Sequence, residues 1–374
     1  YLGYNFFMRL RDLKLTNYRN CKDLHLDLSC PKVLIIGKNA QGKTNILESI
    51  YFLSALKSPR TSNNIELINF EAEKAEINCN MIKAETDVEL DFSYSNEKKR
   101  ELALNKVKTT PKNFKSVLKT VLFSTADLLL LRGNPSDRRD WLDRAIAQIY
   151  PAYDDRLSKY DKIRIQKNNL LKDYLKTGIL NDTLLDVYNE QLVITGSNII
   201  YLRKKFLKEI ERIASEKHRI ISETEDLKID YDCSFLNGEY EPEEIVEAFK
   251  ASLEERRAEE MRRGQSCVGP HRDDIIFYIN GNEAVKFASQ GQQRTIVLAL
   301  KLSELDIITA KTGDEPVLLL DDVLAELDDI RQNYLLKSIN ENTQTIITSV
   351  DTVLFEDEFL KDVKIYKIEA GRVI

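Results

Sequence analysis

The chain has 374 residues, enough for two domains or for one large domain carrying an insertion. It is 43% hydrophobic, so a sizeable core can be buried, and 31% charged, which implies much solvated helix surface. A formal net charge of -6 excludes binding to nucleic acid through a global positive field and leaves that role to a local basic patch.

Taken in chain order, the apolar opening Tyr1 to Phe7 is too short for a signal peptide, and Met8 reads as the natural start with residues 1–7 as an extension. Residues 9–16 alternate apolar and polar, the pattern of a half-buried strand. Val33 to Ile36 is a wholly apolar run, as in a buried parallel strand. Asn45 to Leu56 has helical spacing at Ile46, Leu47, Ile50, Leu53 and Ala55. Residues 74–105 alternate again and predict a strand meander. From about residue 138 the period becomes helical, and Tyr153 to Lys176 reads as one helix. Turn residues Thr177, Gly178 and Asn181-Asp182 separate it from a long helix over roughly 183–222.

Within that long helix an apolar residue recurs every seven positions: Leu185, Leu192, Ile199, Phe206, Ile213 and Ile220. The companion seam fades from Tyr188, Thr195 and Leu202 into Glu209 and Glu216. Both a heptad hairpin with the preceding helix and an ordinary amphipathic helix of a bundle fit this pattern. Forty helical residues span about 60 Å, so a protruding element is expected either way. Residues 239–260 hold nine glutamates behind the helix-starting Pro242 and read as a solvated helix face. After Gly264 and Gly269-Pro270, strands and helices alternate to the end. The predicted fold is α/β: a discontinuous ATPase head of residues 8–120 and 264–374, interrupted by an inserted helical arm over 121–263.

Four motifs carry chemistry. Gly37-Lys38-Asn39-Ala40-Gln41-Gly42-Lys43-Thr44 matches G-x-x-x-x-G-K-[ST] between a strand and a helix, the arrangement that cradles phosphates with backbone amides. Lys43 is expected at the β- and γ-phosphates of ATP, and the Thr44 hydroxyl on magnesium. Val317 to Leu320 is an apolar strand ending in Asp321-Asp322; Asp321 is the expected magnesium ligand and Asp322 the general base or water-positioning group. Ala325-Glu326-Leu327-Asp328 follows as a turn that places Asp328 near nucleotide. Ser289-Gln290-Gly291-Gln292-Gln293-Arg294 precedes a clear helix, so Ser289, Gly291 and Gln292 form a second anion seat. One chain does not need two seats for one triphosphate; two copies sharing two ATPs do. Finally, the apolar strand from Ile346 ends in the hydroxyls Thr348 and Ser349, and Thr348 or Ser349 is expected to sense the γ-phosphate.

Other chemistry is poorly represented. Cys21, Cys30, Cys79, Cys233 and Cys267 form no C-x-x-C pair, and His25, His218 and His271 show no ligand spacing, which argues against disulfides and zinc and for a reducing cytoplasm. Lys98, Lys99, Arg100, Lys106, Lys108, Lys112, Lys115 and Lys119 make a basic run opposed only by Glu101. Either it contacts the DNA backbone or it is a merely solvated surface. No apolar run reaches membrane-spanning length.

The P-loop, Leu122-Phe123-Ser124-Thr125-Ala126-Asp127-Leu128, Gly133-Asn134-Pro135-Ser136-Asp137-Arg138-Arg139, Gly269-Pro270-His271-Arg272-Asp273-Asp274, the Ser289 motif and Leu320-Asp321-Asp322-Val323 together resemble the RecF family of bacterial recombination-repair ATPases. The resemblance runs from Met8 to the end. It implies an ABC-type, SMC-like head with a short arm, an ATP-dependent homodimer, binding to DNA duplexes and gaps, and help in loading the RecA recombinase at single-strand gaps. RecO and RecR are the partners it implies. Relative to transporter ATPases the second acid is Asp322 rather than Glu, Gln290 replaces a signature glycine, and no histidine follows His271; slow hydrolysis is the expectation. A transport ATPase would carry no arm, a carboxylate-rich nuclease domain would have to follow the ATPase, and a chromosome-organising SMC protein, the runner-up, needs far longer arms.

Overall fold

The structure is a computed structural model that describes residues 8–236, 238 and 241–374; the extension at 1–7 lies outside the described residues. Strands β1 (Met8–Tyr18), β2 (Cys21–Asp27) and β3 (Lys32–Ile36) precede helix α1 (Lys43–Ala55). β4 (Lys74–Lys83), β5 (Thr86–Ser95), β6 (Arg100–Leu104), β7 (Val107–Lys108), α2 (Pro111–Lys115) and β8 (Thr120–Ser124) follow. Helices α3 (Pro135–Ile149), α4 (Tyr153–Thr177) and α5 (Asp182–Ser222) lead to β9 (Leu227–Asp232), α6 (Pro242–Glu255), α7 (Arg257–Arg263), β10 (Asp274–Ile279), β11 (Asn282–Glu283) and α8 (Ala284–Phe287). The last stretch holds α9 (Gln290–Thr312), β12 (Val317–Asp321), α10 (Asp329–Ser338), β13 (Thr345–Ser349), α11 (Asp357–Leu360), β14 (Val363–Glu369) and β15 (Arg372–Val373).

Two compact units result. One contains the residues up to Leu129, Ile220–Glu223 and Gly291–Ile374; the other contains Leu130–Arg219 and Thr224–Gln290. These divisions shift both expected boundaries. Residues 121–129, expected in the arm, fall in the first unit because β8 pairs in parallel with β12. Residues 264–290, expected in the head, fall in the second because β10 pairs with β9. Each boundary is set by a strand whose partner lies far away in sequence.

The first unit has a sheet in the order β15-β14-β3-β13-β12-β8 and an antiparallel sheet in the order β2-β1-β4-β5-β6-β7. The strands from β14 to β8 run parallel, and only β15 is antiparallel. Val317–Leu320 are all buried, as the unbroken apolar run requires of a strand covered on both faces. α1 lies on β8, β12 and β13, with Ile46 through Ser54 buried. The two sheets are joined by a buried amide: Gln344 Oε1 accepts from Leu10 N at 2.7 Å, and its Nε2 donates to the carbonyls of Leu10, Leu28 and Cys30. Four hydrogen bonds satisfy this side chain inside the core, which offsets the cost of burying it.

In the second unit the burial of α5 decides between the two readings of the heptad stripe. Leu185, Leu192, Ile199 and Phe206 are buried, but Ile220 is 65% exposed and Ala214 and His218 take the buried positions instead. The stripe slides round the helix because a straight helix turns every 3.6 residues and drifts ~20° per heptad. The amphipathic bundle helix is the reading that survives. Tyr160 of α4 and Phe249 of α6 fit against α5 because residue 196 is glycine, where a Cβ would come 2.6 Å from the Phe249 ring. Gly269, at φ +123°, faces the same two rings, and a Cβ there would lie 2.3 Å from the Tyr160 hydroxyl.

The loop from Gly269 to Asp274 is the unit's polar keystone. Tyr160 Oη lies 2.7 Å from His271 Nδ1, and His271 Nε2 lies 3.3 Å from the Ser266 carbonyl. That carbonyl can only accept, so Nε2 carries the proton, and Nδ1 accepts from the tyrosine. Arg203 makes a two-pronged bond to Asp143 and donates to the Pro270 carbonyl, while Tyr231 donates to Asp273. Arg138 forks onto Asp274, and Lys167 donates to the buried Glu260 at 2.6 Å. Burial pushes the His271 pKa down to about 3, with Arg164 adding to the effect, and burial pushes Asp273 up to about 6.

The signs of these shifts oppose one another. Below the ordinary histidine range the unfolded chain takes up a proton that native His271 refuses, so His271 lowers stability as pH falls from about 6.5 toward 3. Asp273 acts the other way between about 6 and 4, over a narrower window. Acidification from pH 7 to 4.5 is therefore expected to lower the melting temperature. In His271→Asn, whose side-chain oxygen can still accept from Tyr160, that fall should be shallower. Thermal unfolding across this pH range checks it; parallel profiles for variant and parent would remove His271 as the cause.

Candidate nucleotide site

The site lies in the first unit, at the ends of its parallel strands. Sheet register pairs Asp321 with Thr348 on one side and with Ser124 on the other, while Ser349 pairs with Ile36, the residue before the P-loop. The expected residues Lys43, Thr44, Asp321, Asp322 and Thr348 are brought together by this register. Thr44 Oγ1 donates to Asp321 Oδ1 at 3.0 Å, and Thr348 Oγ1 donates to the same oxygen at 2.9 Å. The Thr348 hydroxyl in turn accepts from the Asp322 backbone N–H at 2.9 Å. Lys43, 3% exposed, donates to the carbonyls of Gly37 and Lys38, and its ammonium stands 3.6 Å from Asp322 Oδ2. Asp322 Oδ1 is buried with no hydrogen-bond partner among the described residues.

Two residues of the site have strained backbone. Asp322 has φ +51° and Ala40 φ +64°, both left-handed and neither glycine. Such residues cost roughly 1–3 kcal/mol each and persist only where surrounding contacts fix them. For Asp322 the contact is the amide bond to Thr348; for Ala40 it is the P-loop itself. Gly42 begins α1 at φ +109°, and a Cβ there would lie 2.6 Å from Asn20 Oδ1. Asn20 donates to the Gln41 carbonyl and accepts from Asn45, and Gln41 is further held by the amides of Ala370 and Gly371. The P-loop is thus tied to the β1–β2 turn and to the β14–β15 turn.

Burial pushes the Asp321 carboxyl above the usual range and the neighbouring Asp322 charge adds to that; bonds from Thr348 and Thr44 oppose it. A carboxylate so placed favours a cation. Thr44 Oγ1 and Asp321 Oδ1 are 3.0 Å apart, close to the edge of an octahedron with bonds of about 2.0–2.1 Å, so the pair fits magnesium. Among the described residues no three His, Cys, Asp or Glu side chains converge, so this hydroxyl and carboxylate would have to share a magnesium with phosphate oxygens and water.

Above the site is a cavity of about 880 Å³, lined among others by Asn39, Ala40, Lys43, Thr44, Asp322 and Thr348. Asn20, Asn45, Arg60 and Thr125 also line it and were missed in the sequence. Arg60 donates to Asn45 Oδ1 at 2.7 Å and lies 3.6 Å from Glu48, whose carboxylate is 1% exposed and forked by Arg19. The available signal was Glu48 itself, a charge on the apolar face of α1.

The remaining expected residues are distributed as follows. Lys38 supplies a carbonyl to Lys43. Ser289 immediately precedes α9 and belongs to the second unit, while Gly291 and Gln292 lie in the first turn of α9 and belong to the first. Asp328 caps α10, its Oδ1 accepting from Arg331 N, and its other oxygen is bonded by the Arg331 side chain. The basic run divides. Lys98, Lys99 and Arg100 stand at the β5–β6 turn; Lys106 and Lys108 stand at the β6–β7 turn, with Lys112 and Lys115 on α2. The five-residue β6 keeps the two turns about 16 Å apart. Lys119 is 3% exposed, and burial lowers its pKa to about 8, so it leaves the patch altogether.

A family model described as RecF/RecN/SMC N terminal domain matches residues 9–373. A DNA replication and repair protein RecF from Thermosynechococcus vestitus is 40% identical over 369 residues, covering 98% of this chain and 97% of that protein. The solved structure of a recombination mediator protein RecF bound to ATP, described in the RecFOR pathway, superposes with a TM-score of 0.91 at 33% identity, covering 100% of this chain and 99% of the other. An Smc head domain from Pyrococcus furiosus shares the fold at 16% identity with a TM-score of 0.54. The chain therefore has the mixed α/β fold of RecF and of SMC-type ABC ATPase heads.

Thr348→Val keeps the shape of the side chain but leaves the Asp322 N–H without an acceptor and Asp321 with one donor fewer. A loss of about 1–3 kcal/mol in stability is expected, read from the midpoint of denaturant unfolding. A midpoint equal to the parent's would mean that Thr348 does not hold this strained turn.

Proposed function

The chain belongs to the RecF family of DNA replication and repair proteins, and from that premise we propose that it is an ATP-driven clamp on DNA. It binds ATP with magnesium over the P-loop and pairs head to head with a second copy while ATP is bound. Hydrolysis is slow and releases DNA, and RecO and RecR act with the DNA-bound form to load RecA at single-strand gaps in the cytoplasm. The observation that carries the reading is the convergence of Lys43, Thr44, Asp322 and Thr348 on one cavity, with Asp321 hydrogen-bonded to Thr44 and Thr348. Among the described residues no helix is long and apolar enough to cross a membrane.

Each group has a task. The Lys43 ammonium neutralises phosphate oxygens in the P-loop. Thr44 and Asp321 hold magnesium, which when bound spreads the charge of the β- and γ-phosphates. Asp322 has one carboxylate oxygen near Lys43 and the other buried without a partner among the described residues; the carboxylate accepts the proton of the attacking water or fixes its direction. Aspartate is one methylene shorter than glutamate, and misplacement of about 1 Å costs roughly 100-fold in rate. Slow turnover and a long-lived ATP-bound dimer follow.

Lys43→Met should lose ATP binding with the fold intact. Asp322→Asn should bind ATP and dimerise but lose hydrolysis, so that the dimer outlives the parent's. Single-turnover hydrolysis alongside dimer lifetime by light scattering checks both; parent-like hydrolysis in Asp322→Asn would assign the chemistry to another group.

DNA contact is expected through either or both of the separated basic clusters. Replacing Lys106, Lys108, Lys112 and Lys115 by alanine, or Lys98, Lys99 and Arg100 as a second set, should lower the slope of log affinity against log salt by about 0.9 for each phosphate no longer neutralised. A slope unchanged in both sets returns the basic run to an ordinary solvated surface.

A further inference from the structure

The turn after β12 and the first turn of α9 are fastened together by side chains that no part of the proposed mechanism uses. Arg331 reaches from α10 to both. Its Nε donates to Thr295 Oγ1 at 2.8 Å, and its Nη1 bonds the second carboxylate oxygen of Asp328. Its Nη2 lies 3.3 Å from the place a Cβ would occupy on Gly291. Thr295 is buried, and its hydroxyl also donates to the Gly291 carbonyl at 3.0 Å, so the chain of bonds runs from Asp328 through Arg331 and Thr295 to the glycine of the anion seat. Arg294 adds a second tie, bonding the carbonyl and the carboxylate of Glu326. Gln332 donates to the carbonyls of Leu324 and Leu327 at 2.7 and 2.9 Å. The turn over 324–328 therefore has its acceptors held from both sides.

The charge is as informative as the bonds. A helix N-terminus carries partial positive charge and favours anions. Arg331 puts a guanidinium, only 18% exposed, against that end of α9. Asp328 offsets part of this repulsion from one side. An anion arriving at the open side would relieve the rest.

We propose that Arg331 is a positioning residue for the ATP bound by a second copy of this chain. It locks the 324–328 turn and the first turn of α9 into one rigid edge, which meets the partner's triphosphate as a unit. The assignment rests on the ATP-bound dimer proposed above. It makes Arg331 serve the nucleotide of the other copy rather than the one held by its own Lys43.

The test uses the full chain. Arg331→Ala should bind ATP as a monomer with the parent's affinity, while hydrolysis falls about tenfold or more, the loss expected when charge-assisted hydrogen bonds are removed. Asp322→Asn is inactive for a different reason. Mixed in equal amounts, the two should form heterodimers with one intact composite site: P-loop and Asp322 from the Arg331→Ala chain, edge from the Asp322→Asn chain. Hydrolysis should then rise several-fold above the sum of the separate variants. A parent that stays monomeric with ATP overturns the dimer reading on which both proposals stand. A parent that dimerises while the mixture stays flat overturns the Arg331 assignment alone. Thr295→Val guards against misfolding of the arginine variant: it removes the acceptor and keeps the charge. It should slow hydrolysis without changing ATP affinity, with Thr295→Ser restoring the rate, and a parent-like rate in Thr295→Val would equally refute the coupling.

Discussion

Asp321 stands opposite Thr348 and Ser124, and Ser349 stands opposite Ile36. Side chains alternate faces along a strand, so a slip of one residue in β12 would turn Asp321 away from Thr44 and bury its carboxylate among the leucines that precede it. Hydrophobic burial of Val317 to Leu320 prevents that slip, because all four must stay covered. The core therefore sets the position of the charged groups. Moving the acid by one step would expose apolar area and strand a charge at once, and each of these costs several kcal/mol. The site is as exact as the packing beneath it.

Strain and polarity concentrate where the chain leaves this sheet. Asp322 and Ala40 occupy left-handed backbone without being glycine. Around them each loop is tied by a side chain from a different segment: Gln41 to the C-terminal hairpin, Asn20 to α1, Arg331 to α9. Such ties hold the P-loop amides in place, and preorganised amides are where electrostatic stabilisation has its value in a nucleotide site. The second unit uses the same device in a drier setting, with His271 neutral between a tyrosine and a carbonyl.

How much of this could be read from the sequence depended on the range of the interaction concerned. The P-loop and the paired acids were legible because their chemistry lies in contiguous residues of fixed type. The Asn280-Gly281 hairpin carries the expected turn residues, yet Ala84-Glu85 forms a turn with the same left-handed pair of φ values and gives no such signal. The unit boundaries were misplaced because β8 looks like any short apolar run until its partner β12 is known. Arg331 and Thr295 are separated by 36 positions, and nothing local marks either one. The basic run was visible, but its division between the turns at the two ends of β6 was not. The seven-residue stripe in α5 overstated regularity, since a straight helix does not keep that period.

The order of strands in the first unit also sets a timetable for synthesis. β3 pairs with β13 and β14, and β8 pairs with β12, so neither early strand has a neighbour in its sheet until the C-terminal third is made. About 190 residues separate the end of β8 from β12, and a ribosome adding 5–20 residues per second takes roughly 10–40 s to cover them. Throughout that interval two apolar strands wait with unpaired edges, the state most open to association with other chains. The second unit, whose own sheet is complete once β11 has been made, can fold during the wait. The insertion thus separates the two halves of an ATPase in time as well as in sequence, and the nascent chain is a natural client for chaperones until its last hundred residues appear.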